Sequence, residues 1–325
     1  MNVIQVKNSD SRLWNATEVI IQIMTAITNN QDVCLDMMYE GCCIKSLGLY
    51  KILDDICNTT GYSPKRIHIK VWNLKETHPE YNVVRKAAMR WHDLVRNKIS
   101  KFVKQLPDSQ VKHFGHFVGH GNRFRLLIGS HLWHHHKDKT LQTYHCTPAN
   151  DYHKEFVALE DILYYNHGYD AFKIAAEFLQ NTPMSFGDIK KYPIKGNEAT
   201  DILDAYNHIF VDIVPQSYYS GNVFQLDEKF WRVVATKTPF LVQGPQGFIK
   251  SIQQLGFKTF SNWWDEGYSE DPVDYQVHEL LENIDLIARW NHEKIIQTYQ
   301  EMQPILDHNY QRFLEIKESD FKLIQ

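Results

Sequence analysis

Two short segments of this 325-residue chain place cations where a polyanion can be held. The first is Gly119-His120-Gly121-Asn122-Arg123-Phe124-Arg125, which follows an apolar run and opens a helical pattern. The second is Asp227-Glu228-Lys229, with Arg232 one turn further on. A bound diphosphate needs this chemistry: guanidinium and ammonium groups, helix N-termini, and glycines that let the backbone come close. A reaction that expels a phosphate needs the same cations where negative charge grows in the transition state. Glu228 suits a ribose hydroxyl pair, although acidic residues favour a helix start for electrostatic reasons alone.

The two cationic junctions serve one ligand only if the fold brings them to one edge. Asp32–Met38 reads as a strand, Ser46–Cys57 as a helix, Ile67–Trp72 as a second strand and Val83–Lys104 as a long helix. Leu106-Pro107-Asp108-Ser109 stops that helix and marks a domain boundary. A second series then begins: a strand over His113–Val118, a helix over Arg123–His135 and a strand over Leu141–His145. Helical stretches follow near Glu155–Tyr164 and Asp170–Leu179. Next come a strand at Ile209–Val214, a helix over Asp227–Ala235, a strand at Pro239–Val242, a helix over Gln246–Leu255 and a short strand at Lys258–Phe260. Asp274–Glu318 is largely helical. Strands alternating with helices imply parallel sheets, whose ligands sit beyond the carboxyl ends of the strands. The loops after Val118, Val214 and Val242 are therefore expected to converge on one edge.

The segment GNVFQLDEKFWRVVATKTPFLVQGP (Gly221–Pro245) resembles the nucleotide-binding core of α1,3-fucosyltransferases. There a Tyr-x-Thr-Glu-Lys-Leu-Trp run precedes a small-residue stretch, an apolar strand and Gly-Pro. FVGHGNRFRLLIGSHLW (Phe117–Trp133) is similar to the strand, Ser-Asn loop and Arg-bearing helix that open the same domain. GFKTFSNWWDEGYSEDP (Gly256–Pro272) looks closest to phage and bacterial members of this superfamily. The resemblance covers Val111–Asp274, with about 60 extra residues between its first two segments, a length tolerable for an insertion.

The resemblance implies a GT-B architecture: an α/β chain of two Rossmann-like domains with parallel sheets, facing across a cleft. The implied domains are an acceptor-side domain over 1–108 and a nucleotide-sugar domain over 109–290, with an insertion at about 147–205. Residues 291–325 would be C-terminal helices packing back on the first domain. It implies an inverting transfer from a nucleotide diphosphate sugar, a GDP-sugar favoured, to a hydroxyl of a glycan acceptor. Glu228 would take the ribose hydroxyls, and Lys229 and Arg125 the diphosphate, with no metal required and no cofactor. Asn122, Arg123, Ser217, Gly221, Gln225 and Arg232 complete the expected donor-binding set. The family's Tyr and Thr are Gln225 and Asp227 here, and its Glu-Asn-Ser reads Pro215-Gln216-Ser217, which leaves the base and sugar open. Asp227 fits a helix cap better than a phosphate contact. An inverting enzyme needs a general base; Glu40, before Gly41, is the expected one, and Asp36 a second choice.

Composition bounds the alternatives. A net charge of -4 disfavours a protein that coats nucleic acid, although glycosylation of modified DNA bases remains an alternative, as does a non-catalytic nucleotide-sugar or glycan-binding module. Arg96, Lys98, Lys101 and Lys104 form one basic helix end, the usual reading of which is a solvated face. Five cysteines, two of them adjacent, make a poor disulfide framework and point to a reducing, cytoplasmic setting. No apolar run is long enough to span a bilayer, and the first residues lack a signal-peptide pattern. Among 17 histidines, His131 and His135 share a helix face at i, i+4 and could share a metal, against the plainer reading of a solvated helix end; no metal ligand is assigned. His116 and His120 lie near the donor loop.

Overall fold

The computed structural model describes residues 1–6, 16–38, 42–99, 104, 111–119, 121–145, 159–184, 202–219 and 221–324. The chain is α/β and divides into two compact units. One comprises Met1–Arg90, Ser217–Asp227 and Ile316–Gln325; the other comprises Trp91–Gln216 and Glu228–Glu315.

The first unit holds β1 (Asn2–Gln5), α1 (Ala16–Thr28), β2 (Val33–Asp36), α2 (Leu49–Thr60), β3 (Ile67–Val71) and β4 (Asn82–Arg85). All four strands are parallel, in the order β1-β2-β3-β4. Val33, Cys34 and Leu35 are fully buried, and β3 alternates Ile67, Ile69 and Val71 inward. Leu49, Leu53 and Ile56 of α2 and Val19, Ile23 and Ala26 of α1 close this core. The segment Ser217–Asp227 is fastened here by one buried amide. Asn73 Nδ2 donates to the Asn222 carbonyl at 2.9 Å, and its Oδ1 accepts from Phe224 N at 3.0 Å. Gly221 sits at φ +78, and a Cβ there would come within 2.5 Å of Ser46 Oγ and 2.8 Å of Cys43 Sγ.

The second unit begins within α3 (Met89–Ile99) and continues with β5 (Lys112–Val118), α4 (Arg123–His135), β6 (Thr140–Tyr144), α5 (Tyr169–Gln180) and β7 (Ile209–Pro215). After the excursion into the first unit come α6 (Glu228–Ala235), β8 (Phe240–Gln243), α7 (Phe248–Gln254), α8 (Val273–Ala288) and α9 (His292–Glu315). Its sheet is also all parallel, in the order β6-β5-β7-β8. β7 is central and buried at every position, as expected for a strand covered on both faces. Asp212 pairs with Gly115, the neighbour of His116, so the side chains of Asp212 and His116 point to opposite faces. α4 covers the His116 face through Gly129, where a Cβ would lie 3.3 Å from the imidazole. α6 lies on the Asp212 face. Trp231, Phe230, Phe240, Phe257 and Phe313 form an aromatic core there, largely edge to face.

The expected strands and helices of the second unit appear close to their expected bounds, with three corrections in the chain as a whole. The expected helix Val83–Lys104 is split: Asn82–Arg85 pairs with β3 as β4, and the helix starts at Met89. Two adjacent β-branched valines beside a strand edge outweigh their helical spacing. Lys258–Phe260 is not a strand; Asn309 bonds both the N–H and the carbonyl of Lys258, at 2.8 Å each, and supplies the partners a strand would have. Lys104 is not on a solvated face: it donates to the Ile209 carbonyl at 3.0 Å and to Thr238 Oγ1 at 2.8 Å. Residue 108, the expected boundary, and residues 147–158 and 185–201 of the expected insertion lie outside the described residues. The division by contacts puts Ser217–Asp227 with the first unit and separates His292–Glu315 from Ile316–Gln325. No helix among the described residues is long and apolar enough to cross a membrane.

Candidate functional site

The chain runs from β5 outward to β6, then returns to the other side of β5 to lay down β7 and β8. The crossovers on the two sides of the β5–β7 pair therefore leave in opposite directions. Such a switch point opens a crevice beyond the carboxyl ends of the two strands, the usual ligand position in an open parallel sheet. The expectation that the loops after β5, β7 and β8 share an edge is met, because these three strands are adjacent and parallel.

Arg125 stands at this crevice. Asn122 caps α4, its side chain accepting from Arg125 N at 2.9 Å, which fixes the first turn. The Arg125 guanidinium then reaches the end of β7, where Nη2 donates to the Pro215 carbonyl at 3.1 Å. Beneath it His116 is fully buried, with Nδ1 3.4 Å from Gln142 Nε2. Burial, and then the Arg125 charge, push this imidazole down to about 3, so it is neutral at ordinary pH.

The ends of β7 and β8 each carry a buried amide. Gln216 N donates to the Gln243 carbonyl at 2.8 Å and continues the ladder past Pro215. Gln243 is fully buried, and neither its Oε1 nor its Nε2 has a hydrogen-bonding partner among the described residues; the same holds for Gln216 Nε2. A buried primary amide with unmet hydrogen bonds is costly. Here two of them end neighbouring strands; Gln243 pairs with Pro215, so its side chain and that of Gln216 leave on opposite faces of the sheet. Gly244 follows, and a Cβ on it would press to 3.2 Å from Gln216 Cγ.

α6 supplies the second cationic junction. Lys229 Nζ donates to Glu228 Oε1 at 2.7 Å, and both side chains are mostly buried. Burial alone would raise Glu228, but Lys229 and Arg232 outweigh it and hold the carboxyl below its ordinary range. Arg232 faces inward, where Tyr206, Glu228 and Asp212 stabilise its charge against burial. Tyr206 Oη donates to Asp212 Oδ2 at 2.8 Å. Burial pushes Asp212 up to about 7 and Lys104 down to about 7; the attraction between the opposite charges opposes this and only partly offsets the desolvation.

Comparison of the chain with protein-family models, with curated proteins and with solved structures gives no match. The local geometry therefore carries the functional reading. Of the expected donor-binding residues, Asn122, Arg123, Arg125, Glu228, Lys229 and Arg232 fall in the second unit, and Ser217, Gly221 and Gln225 in the first. Arg123 pairs with Asp274 and lies 3.4 Å from the centre of the Tyr165 ring, so it anchors α8 to α4. Arg232 belongs to the Asp212 cluster, Asn122 to the helix cap, and Gly221 to close packing against Cys43 and Ser46. Ser217 is exposed. Glu40 and His120 lie outside the described residues. Sequence reasoning names Gln216 only as a departure from the family's Glu-Asn-Ser and passes over Gln243. The signal available for them was an amide at each strand end, one of them directly before Gly244-Pro245.

Proposed function

We propose that this protein is a glycosyltransferase of GT-B type that takes its sugar from a nucleotide diphosphate donor, a GDP-sugar favoured, and passes it to a glycan hydroxyl with inversion. The observation that carries this reading is the buried Arg125 guanidinium held at the end of β7 by the Pro215 carbonyl, with an unsatisfied buried amide, Gln216 and Gln243, at the end of each of β7 and β8. In this reading Arg125 and Lys229 neutralise the diphosphate and stabilise the charge that builds on the leaving phosphate. Glu228 receives the ribose hydroxyls, and Gln216 and Gln243 meet the donor and acceptor edges of the base or sugar. The first unit takes the acceptor side and supplies the general base, assigned to Glu40. The resemblance of Gly221–Pro245 to the fucosyltransferase core supports the same assignment.

Thermal unfolding with a panel of GDP, UDP, ADP and CDP tests the class and the base together. A ligand that binds only the folded state raises Tm, by the equivalent of about 2.7 kcal/mol at a hundredfold excess over Kd. GDP is expected to give the largest rise. No rise with any member at millimolar concentration refutes the proposal.

A further inference from the structure

The far end of α4 carries a second cluster that the donor-site reading does not use. His131 Nε2 and His136 Nε2 both lie against one carboxylate oxygen, Asp285 Oδ1 of α8, at 2.8 and 2.7 Å. The sequence pairs His131 with His135, but the structure brings in His136 instead. α4 ends at His135, and His136 leaves the helix at φ −136, ψ 27, which turns its ring back beside that of His131. The three ligand atoms lie within 4.8 Å of one another, and all three residues are partly buried. α4 spans roughly 20 Å from its Asn122 cap to His136, so the cluster stands at the opposite end of the helix from the candidate donor site.

We propose that His131, His136 and Asp285 bind a zinc ion that fastens the C-terminal end of α4 to α8. Two imidazole nitrogens and one carboxylate oxygen are a donor set zinc accepts, and three protein ligands leave the fourth position to water or another side chain. The His135 ring is centred 4.7 Å from that of His131, and His135 is not one of the three grouped ligands. Zinc–ligand bonds of about 2.0–2.2 Å put tetrahedral donors about 3.3 Å apart, so the cluster has to open by about half an ångström. Each ring would turn the Nε2 lone pair to the ion and carry its proton on Nδ1. The surroundings are already braced: Lys139 Nζ donates to the Ala288 carbonyl at 2.6 Å, and His113 Nε2 lies 2.8 Å from the Trp290 carbonyl. The inference is independent of the nucleotide-sugar reading.

The test uses the full chain freed of metal by a chelator, then titrated with Zn2+ in competition with a chromophoric chelator and separately with Co2+. One Zn2+ per chain, visible Co2+ bands of a four-coordinate nitrogen–oxygen site, and a higher Tm with Zn2+ are expected. His136→Ala and Asp285→Asn each should weaken Zn2+ binding by about tenfold or more and remove the Tm rise, with an unchanged far-ultraviolet dichroism spectrum. Asp285→Asn keeps the side-chain shape and guards against a variant that fails to fold. The proposal is overturned if wild-type protein takes up no zinc and shows no Co2+ bands. It is equally overturned if His135→Ala abolishes binding while His136→Ala retains it.

Discussion

Arg125 Nη2 donates to the backbone carbonyl of Pro215 at 3.1 Å, joining the helix that follows β5 to the end of β7. The bond holds a buried guanidinium where the crossovers of the described strands diverge. A cation fixed there would act on a ligand without first being ordered by it, which is the condition for effective electrostatic stabilisation.

The Arg125 fork, rather than its charge alone, should matter. A lysine preserves the charge but gives up the planar set of N–H donors that holds the Pro215 carbonyl and, in the proposed site, would engage a diphosphate at the same time. Arg125→Lys is expected to weaken nucleotide diphosphate binding by about tenfold or more, read by calorimetry. Affinity equal to wild type would remove Arg125 from the donor site.

The proposed function gives Glu228 and Lys229 separable tasks. In it Lys229 would address phosphate and Glu228 the ribose, so inorganic pyrophosphate distinguishes them. Lys229→Ala should weaken both GDP and pyrophosphate, whereas Glu228→Gln should weaken GDP and leave pyrophosphate within about twofold. Competition binding with the two ligands provides the measurement. A Glu228→Gln effect of equal size on both would mean that its contact with Lys229, at 2.7 Å, is the whole of its role.

His116 makes stability depend on pH in a defined window. The unfolded chain takes up a proton near 6.5, but the folded chain does so only near 3, because the imidazole is buried and faces Arg125. Between those values the unfolded state binds more protons, so stability is intact above about 6.5 and falls as pH drops toward 3. His167, pushed down to about 4 by burial and then by Arg123 and His278, acts in the same direction. The loss attributable to His116 is on the order of a few kcal/mol across the window. His116→Gln should flatten the dependence, measured as denaturant midpoints at about pH 7.5 and pH 5. An unchanged slope in the variant would show that His116 does not titrate with unfolding.

The second unit was the more legible part of the chain because its strands are buried on both faces and its helices begin at recognisable signals. Ile209–Pro215 is an unbroken apolar run but for Asp212, and Asn122 three residues before Arg125 is an ordinary cap. The first 30 residues, which hold β1 and α1, gave no expectation. Val3 and Ile21 are apolar yet exposed, at 52% and 60%, which blurs both the alternation and the helical stripe. Arg125 was readable from its junction, whereas Gln216 and Gln243 become candidates only once neighbouring strands are known to end together. His136 escaped notice for a related reason: a helical spacing rule stops at the last helical residue, and this ligand lies one residue beyond it.

The first unit turns on a carboxylate that has no catalytic freedom. Glu76 is 4% exposed, and its two oxygens accept from Ile44 N at 2.9 Å, Tyr50 Oη at 3.0 Å and Asn73 Nδ2 at 3.1 Å. Through Asn73 the same knot holds Asn222 and Phe224, and so the segment leading to α6. Glu76→Ala leaves the Ile44 amide and the Tyr50 hydroxyl buried without an acceptor, a loss of about 2–5 kcal/mol. Glu76→Gln retains one acceptor and should cost less. Its removal of charge should also let the Tyr50 phenol, raised by burial and then by Glu76, ionise at lower pH. The exposed Glu80 serves as control, with Glu80→Ala expected within about 0.5 kcal/mol of wild type. Chemical denaturation ranks the three variants, and an ultraviolet titration follows the phenol. If Glu76→Ala proves no more harmful than Glu80→Ala, the knot does not hold this segment.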